Sequence, residues 1–126
     1  MFKLLVVGLG GFVGAVSRYG ISGLVQRYHK GAFPLGTFTV NVLGCLLIGV
    51  LMTLVQDREA LSANTRLFLT VGLLGSLTTF STLGHETLEL LRENNLQMAL
   101  GSVLGNVVVG VAAVGLGRAA VKSFGG

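Results

Sequence analysis

Four apolar runs, at residues 2–25, 35–55, 67–91 and 96–121, occupy most of this 126-residue chain. Each is close to the ~20 residues that an α-helix needs to cross a bilayer. The polar stretches between them are short: Gln26 to Gly31, Gln56 to Glu59, and Arg92 to Asn95. Only 11% of the residues are charged and 52% are hydrophobic. A soluble domain averages about 25% charged residues, and this chain has too few polar side chains to cover an exterior. The expectation is an all-α membrane protein of four transmembrane helices, forming a single domain over residues 1–126. Lys3 followed by an apolar run is superficially like a signal peptide. The early glycines and Arg18 within the run argue against cleavage, so a retained first helix is expected.

The third run carries the strongest local signal. Gly72-Leu73-Leu74-Gly75-Ser76-Leu77-Thr78-Thr79-Phe80-Ser81-Thr82 is a glycine- and hydroxyl-rich interruption. The part before the hydroxyls, Leu67 to Leu77, would be only about 16 Å long as a helix, against a hydrocarbon core of roughly 30 Å. Hydroxyl side chains offer the backbone alternative hydrogen-bond partners. Non-helical backbone at membrane depth persists only when protein buries it or when it lines a wet cavity. Broken helices are also where transport proteins place ion sites. A break is therefore expected here, with non-helical backbone between Gly75 and Thr78, as the functional centre.

Charge and reactive residues exclude several classes. The net charge is +4, but the basic residues are scattered and form no nucleic-acid patch. They suit lipid headgroups at helix ends. The lone Cys45 can form neither an intrachain disulfide nor a metal cluster and reads as a small core residue. Gly8 to Gly14 misses dinucleotide-binding spacing because Val13 stands where the third glycine belongs. The two histidines and five acids lie at segment ends, so no enzyme constellation appears. Helix 1 has no acid to exchange protons for cations, which speaks against a small proton-coupled drug exporter.

With four spans, Lys3, Arg58, Arg66, Arg118 and Lys122 share one side, and Arg27, Lys30 and Arg92 the other. That bias is weak under the positive-inside rule. It is compatible with insertion in both orientations and with an antiparallel homodimer. Gly10, Gly14 and Arg18 share one face of helix 1, and Gly101 and Gly105 repeat a small-residue spacing in helix 4.

Several polar residues in apolar surroundings are site candidates, each with two open readings. Arg18 is either an interfacial anchor or an electropositive element of an anion path. Asn41 either hydrogen-bonds between helices or lines a pore, and Ser102, Asn106 and Gly110 form a similar stripe in helix 4. Phe80 and Leu83 are expected on one helical face. Phe80 is either core, or a ring whose electropositive edge faces a dehydrated anion. Thr79, Thr82 and Glu86 run along another face, with His85 and Glu86 most simply interfacial.

Three motifs together resemble one family. They are Gly10 through Tyr19, Gly36-Thr37-Phe38-Thr39-Val40-Asn41-Val42-Leu43-Gly44, and Gly72 through Thr82. These are similar to the small dual-topology fluoride channels of bacteria, the CrcB/Fluc family, across all four segments. The resemblance implies a multi-pass protein of the bacterial inner membrane that lets toxic cytoplasmic fluoride leave passively. It implies an antiparallel homodimer with two pores and a structural, non-transported sodium ion at its centre. Backbone carbonyls of Gly75 and Thr78 from each subunit would hold that ion. Asn41, Phe80, Ser81 and Thr82 would border the fluoride path, and Arg18 matches the family's helix 1 arginine. The family has a second pore phenylalanine where this chain has Leu83. Leucine has no ring quadrupole, so a weaker fluoride station is expected there. The alternative is a secondary transporter, either a fluoride/proton antiporter or a small-cation exporter.

Overall fold

The computed structural model describes residues 1–125. It is all-helical among those residues. Helix α1 spans Phe2–Tyr28 and α2 spans Leu35–Arg58. The third span, Ala63–Arg92, is built in pieces: α3 (Ala63–Arg66), a π-helical stretch (Leu67–Leu74), α4 (Gly75–Leu77) and α5 (Phe80–Arg92). Helix α6 spans Leu96–Phe124. The four spans are each long and apolar enough to cross a membrane. The helices run several residues past the apolar runs. Residues 26–28, expected in a loop, are the last turn of α1.

Local chemistry sets the ends. Glu59 closes α2 in the left-handed conformation (φ 46°). The Ser62 side chain caps α3 through the Thr65 amide at 3.2 Å. Asn95 caps α6 through the Met98 amide at 3.3 Å. Pro34 precedes α2, and the Gly36 amide in its first turn donates to Gln26 Oε1 at 3.1 Å. That bond ties the end of α1 to the start of α2.

Glycines set the interhelical distances. A Cβ on Gly10 would meet the Phe68 carbonyl, and one on Gly14 the Leu73 carbonyl. These two buried positions let α1 lie backbone against backbone on the π-helical stretch. The fourth span, α6, differs from expectation. Gly101 and Gly105 face only the rings of Phe33 and Phe38, at 3.9 and 3.3 Å from where a Cβ would stand. The tight contact between α2 and α6 is made further along. There Gly117 lies against the Leu46 carbonyl and Gly49 against the Val114 carbonyl. Small-residue spacing alone did not say which glycines face the partner helix.

The core is thin, as a membrane-embedded chain allows. Val40, Leu74 and Leu77 form its buried centre, packed by Ile21, Leu47, Ile48, Leu51 and Leu73. At one end Arg58 Nη2 donates to the Val121 carbonyl at 3.1 Å, and Lys122 approaches Asp57 at 4.0 Å. These contacts put the end of α2 beside the end of α6.

Candidate functional site

The third span is broken at Thr78 and Thr79, whose backbones are extended (φ −85°, ψ 156° and φ −147°, ψ 120°). This corrects the expected position: Gly75, Ser76 and Leu77 are still helical, and the chain opens only after them. The first half ends with the Thr78 amide on the Leu74 carbonyl at 3.1 Å. The second half begins with Thr79 as its cap, its Oγ1 accepting from the Thr82 amide at 3.2 Å. A threonine directly before the helical run is a helix-start signal that the sequence reading did not use.

A side chain from another helix holds the break open. In a continuous helix the Thr79 amide would donate to the Gly75 carbonyl. It donates instead to Asn41 Oδ1 at 2.8 Å, while Asn41 Nδ2 donates to the Thr79 carbonyl at 3.2 Å. The amide of Asn41 thus pairs with both backbone polar groups of Thr79, as a neighbouring strand would. Leaving those two groups unpaired in a buried site would cost about 1–3 kcal/mol each. The Gly75 carbonyl meanwhile loses its helical partner.

The network continues into α6. Asn41 Nδ2 also donates to Asn106 Oδ1 at 2.7 Å, and Asn106 Nδ2 donates to the Ser102 carbonyl at 2.7 Å. Each amide orientation is set by its neighbour. Because the Thr79 amide needs an acceptor, Asn41 must turn its oxygen there, and Asn106 must then turn its oxygen to Asn41.

Two cavities flank the break. The larger, about 440 Å³, is lined by Asn41, Gly75, Thr78, Phe80, Leu83 and Asn106, with Cys45 and Ile48 in its wall. The smaller, about 210 Å³, is lined by Arg18, Ser22, Thr37, Val40, Thr79 and Thr82. The break therefore presents amides and an aromatic ring on one side, and hydroxyls with an arginine on the other.

Most of the residues singled out in the sequence converge on these two spaces. Phe80 and Leu83 do line one cavity, but they do not share a face: Leu83 is turned inward (7% exposed) and Phe80 outward (86%). Thr82 lies with Arg18 on the smaller cavity. Ser81 is exposed and lines neither. Ser102 is fully buried, its hydroxyl without a partner. Glu86 is not merely interfacial: it is half-buried and accepts from Thr37 Oγ1 at 2.8 Å. It lies in a further recess of about 300 Å³ with His85, Gln26, Glu89 and Glu93. Cys45, expected in the core, is half-buried in the wall of the larger cavity. No cluster of three or more His, Cys, Asp or Glu side chains suited to a metal ion occurs among the described residues.

These features define a multi-pass membrane protein organised around a helix broken within its third span. Comparison with known proteins agrees. The family described as CrcB-like protein, Camphor Resistance (CrcB), matches residues 5–118. The chain is 45% identical to the fluoride-specific ion channel FluC of Chloroflexus aurantiacus over all of both chains. It is 44% identical to the protein of that name from Methylobacillus flagellatus, over 97% of this chain and 96% of the relative. It is 41% identical to fluoride-specific ion channel FluC 1 of Methanosarcina acetivorans, over 94% of this chain and 89% of the relative. The chain belongs to the CrcB family.

Proposed function

We propose that this chain is a fluoride-specific ion channel, not an enzyme, and that fluoride passes beside the break in the third span. The relatives of 41–45% identity, matched over nearly their whole length, support the ion and the activity. The observation that carries the placement is the larger cavity, where amides from α2 and α6 meet an exposed phenylalanine.

Fluoride holds its water strongly, so a pore must replace that shell with donors. Amide N–H groups do so directly, and a phenyl ring offers its electropositive edge. Phe80 is 86% exposed on the single chain. A ring turned away from its own helices suits a pore completed by a second copy. The weak charge asymmetry of the termini and loops favours an antiparallel arrangement of the two copies, giving two pores per dimer. Arg18, beside Thr79 and Thr82, supplies positive potential on the hydroxyl side of the break. Membrane lipid surrounds the outer faces.

The residues at the break suit a structural sodium ion. The Gly75 carbonyl has lost the Thr79 amide to Asn41, and a hard cation prefers such oxygen ligands. Gly75 and Thr78 would hold the ion through backbone carbonyls. Bound there, it would neutralise carbonyl dipoles at the broken helix.

Purified protein in liposomes is expected to release fluoride down its electrochemical gradient, read with a fluoride electrode, without proton coupling. Flux that requires a proton gradient would favour the secondary-transporter alternative. In the same assay Phe80→Ile should reduce flux about ten-fold or more per dimer, the size of about 1.4 kcal/mol in the barrier. Leu83→Phe should match or exceed wild type, since its side chain borders open cavity volume. Wild-type flux in a well-folded F80I protein would remove Phe80 from the path.

A second prediction concerns assembly. A Cβ on Gly75 would have the Thr70 carbonyl as its nearest neighbour, at 3.7 Å, so the single chain has room for a side chain. Gly75→Val should therefore leave helix content intact while weakening the dimer, because the added bulk meets the second copy and the ion. Size-exclusion chromatography with cross-linking checks this. An unaltered G75V dimer would contradict placing Gly75 at the axis.

A further inference from the structure

We infer that the π-helical stretch Leu67–Leu74 is a register device. It winds up one residue more than an α-helix would hold between two contacts with α1, and so keeps α1 in register with the break that follows. The inference goes beyond the channel reading and does not depend on it.

π-Helices are rare and mostly confined to single turns, yet this one runs for eight residues. No proline in it forces that winding. The reason lies on α1. Gly10 and Gly14 are four residues apart, about 6 Å along their helix. The carbonyls they lie against, of Phe68 and Leu73, are five residues apart. In an α-helix those five residues would advance about 7.5 Å and leave the second carbonyl about 140° round from the first. One of the two glycine contacts would then be lost. With amides bonded five residues back, residues five apart return to nearly the same side. Gly72 falls between them, where a Cβ would meet the Val7 carbonyl. The hydrogen bonds keep the same count. The Gly75 amide reaches the carbonyls of Gly72 and Thr70, the latter five residues back, where an α-helix would use Val71. The Thr70 hydroxyl donates to the Arg66 carbonyl at 2.7 Å, the acceptor that an α-wound Thr70 amide would take.

One surplus residue corresponds to about 100° of α-helical turn. Wound as α with all its residues, the stretch would rotate everything after it by that angle relative to α1. Leu77, 2% exposed, would leave the core, and Thr78 and Thr79 would open in another direction. Removing one residue is therefore the change that the stretch can absorb. With Val71 deleted, the Gly75 amide and the Thr70 carbonyl stand four residues apart, and the bond they already make becomes an α-helical one. The contacts with Gly10 and Gly14 then fall four residues apart on both helices. Val71 is exposed, so its loss takes nothing from the core.

The test is a set of single-residue deletions in the full chain. Val71 or Leu69 is removed from the π-helical stretch, and Leu47 from α2 as the control. Leu47 lies between Leu46 and Gly49, both in close contact with α6, so its loss throws one contact out of phase with the other. Size-exclusion chromatography with cross-linking reads assembly, and liposomes read fluoride flux. The Val71 and Leu69 deletions should give assembled protein with the elution and cross-linking pattern of wild type, and the Leu47 deletion none. Flux per assembled unit in the two stretch deletions should stay within about three-fold of wild type. Failure of both stretch deletions to assemble would overturn the inference, because the extra residue would then be indispensable. Equal assembly of the Leu47 deletion would also overturn it, since the protein would absorb a missing residue anywhere. Stretch deletions that assemble but lose flux ten-fold or more would show that the break no longer stands in register, contrary to the inference. A wild-type protein without flux would overturn the channel reading alone, and the assembly comparison would still decide this one.

Discussion

Asn41→Leu should abolish fluoride flux and destabilise the protein by about 2–6 kcal/mol, the cost of two buried backbone groups left without partners. Leucine is similar in size to asparagine, so the change does not open a large void. It removes the acceptor for the Thr79 amide and the donor for the Thr79 carbonyl together. It also frees Asn106 to turn, since Asn41 is what holds its oxygen in place. The extended backbone at Thr78 and Thr79 would then have helix formation as its nearest relief, drawing the Thr79 amide back to Gly75. Such a shift would displace Phe80 and the start of α5 relative to the cavity. Asn41→Asp should fall between, because a carboxylate still accepts from the Thr79 amide but cannot donate. Thermal unfolding in detergent and flux in liposomes measure the two effects. An N41L protein with wild-type stability and flux would show that the break stands without its amide latch.

The second large effect is expected at the face of α1. Gly14→Val and Gly10→Val should both prevent a folded protein from accumulating. At either position the new Cβ would overlap a backbone carbonyl, of Leu73 or Phe68, and a carbonyl held in a helix cannot turn aside as a side-chain tip can. Overpacking against side chains alone typically costs about 1–3 kcal/mol, and a backbone collision should exceed that. The carbonyls concerned belong to the π-helical stretch, so relief would require the third span to move away from α1 along its first half. Gly20→Ala and Gly23→Ala, with nothing within 4 Å of a new Cβ, are the matched controls and should express normally. The yield of monodisperse protein reads the difference. Equal yields from G14V and G20A would contradict the close approach of α1 to the third span.

The reading from sequence was strongest where the physics is local. Four apolar runs of membrane-crossing length follow from composition and the bilayer's thickness, and the structure has helices at all four. A hydroxyl-rich stretch within an apolar run marked the neighbourhood of the break, because such side chains compete locally for the backbone. The three motifs pointed to the family that the comparisons establish. Gly10 and Gly14 were legible as a packing face because helical periodicity puts them on one side.

What the sequence left open were the facts that depend on a partner far along the chain. The break falls at Thr78 and Thr79 rather than from Gly75 because its hydrogen bonds come from Asn41, 38 residues away on α2. No local propensity chooses which amide of a Gly-Ser-Leu-Thr-Thr run will meet that side chain. Phe80 and Leu83 were expected on one face, since residues three apart in a helix lie on the same side. Only the packing of α5 turned Leu83 inward and left Phe80 outside. The same holds for α6, where Gly110 and Gly117 are the buried glycines and Gly101 is exposed. Sequence by itself determined that this chain would be four membrane helices with a weakness in the third. The tertiary structure decided where that weakness opens and which side chains face the space, because hydrogen bonds and steric contacts between helices, not preferences within them, select among the alternatives.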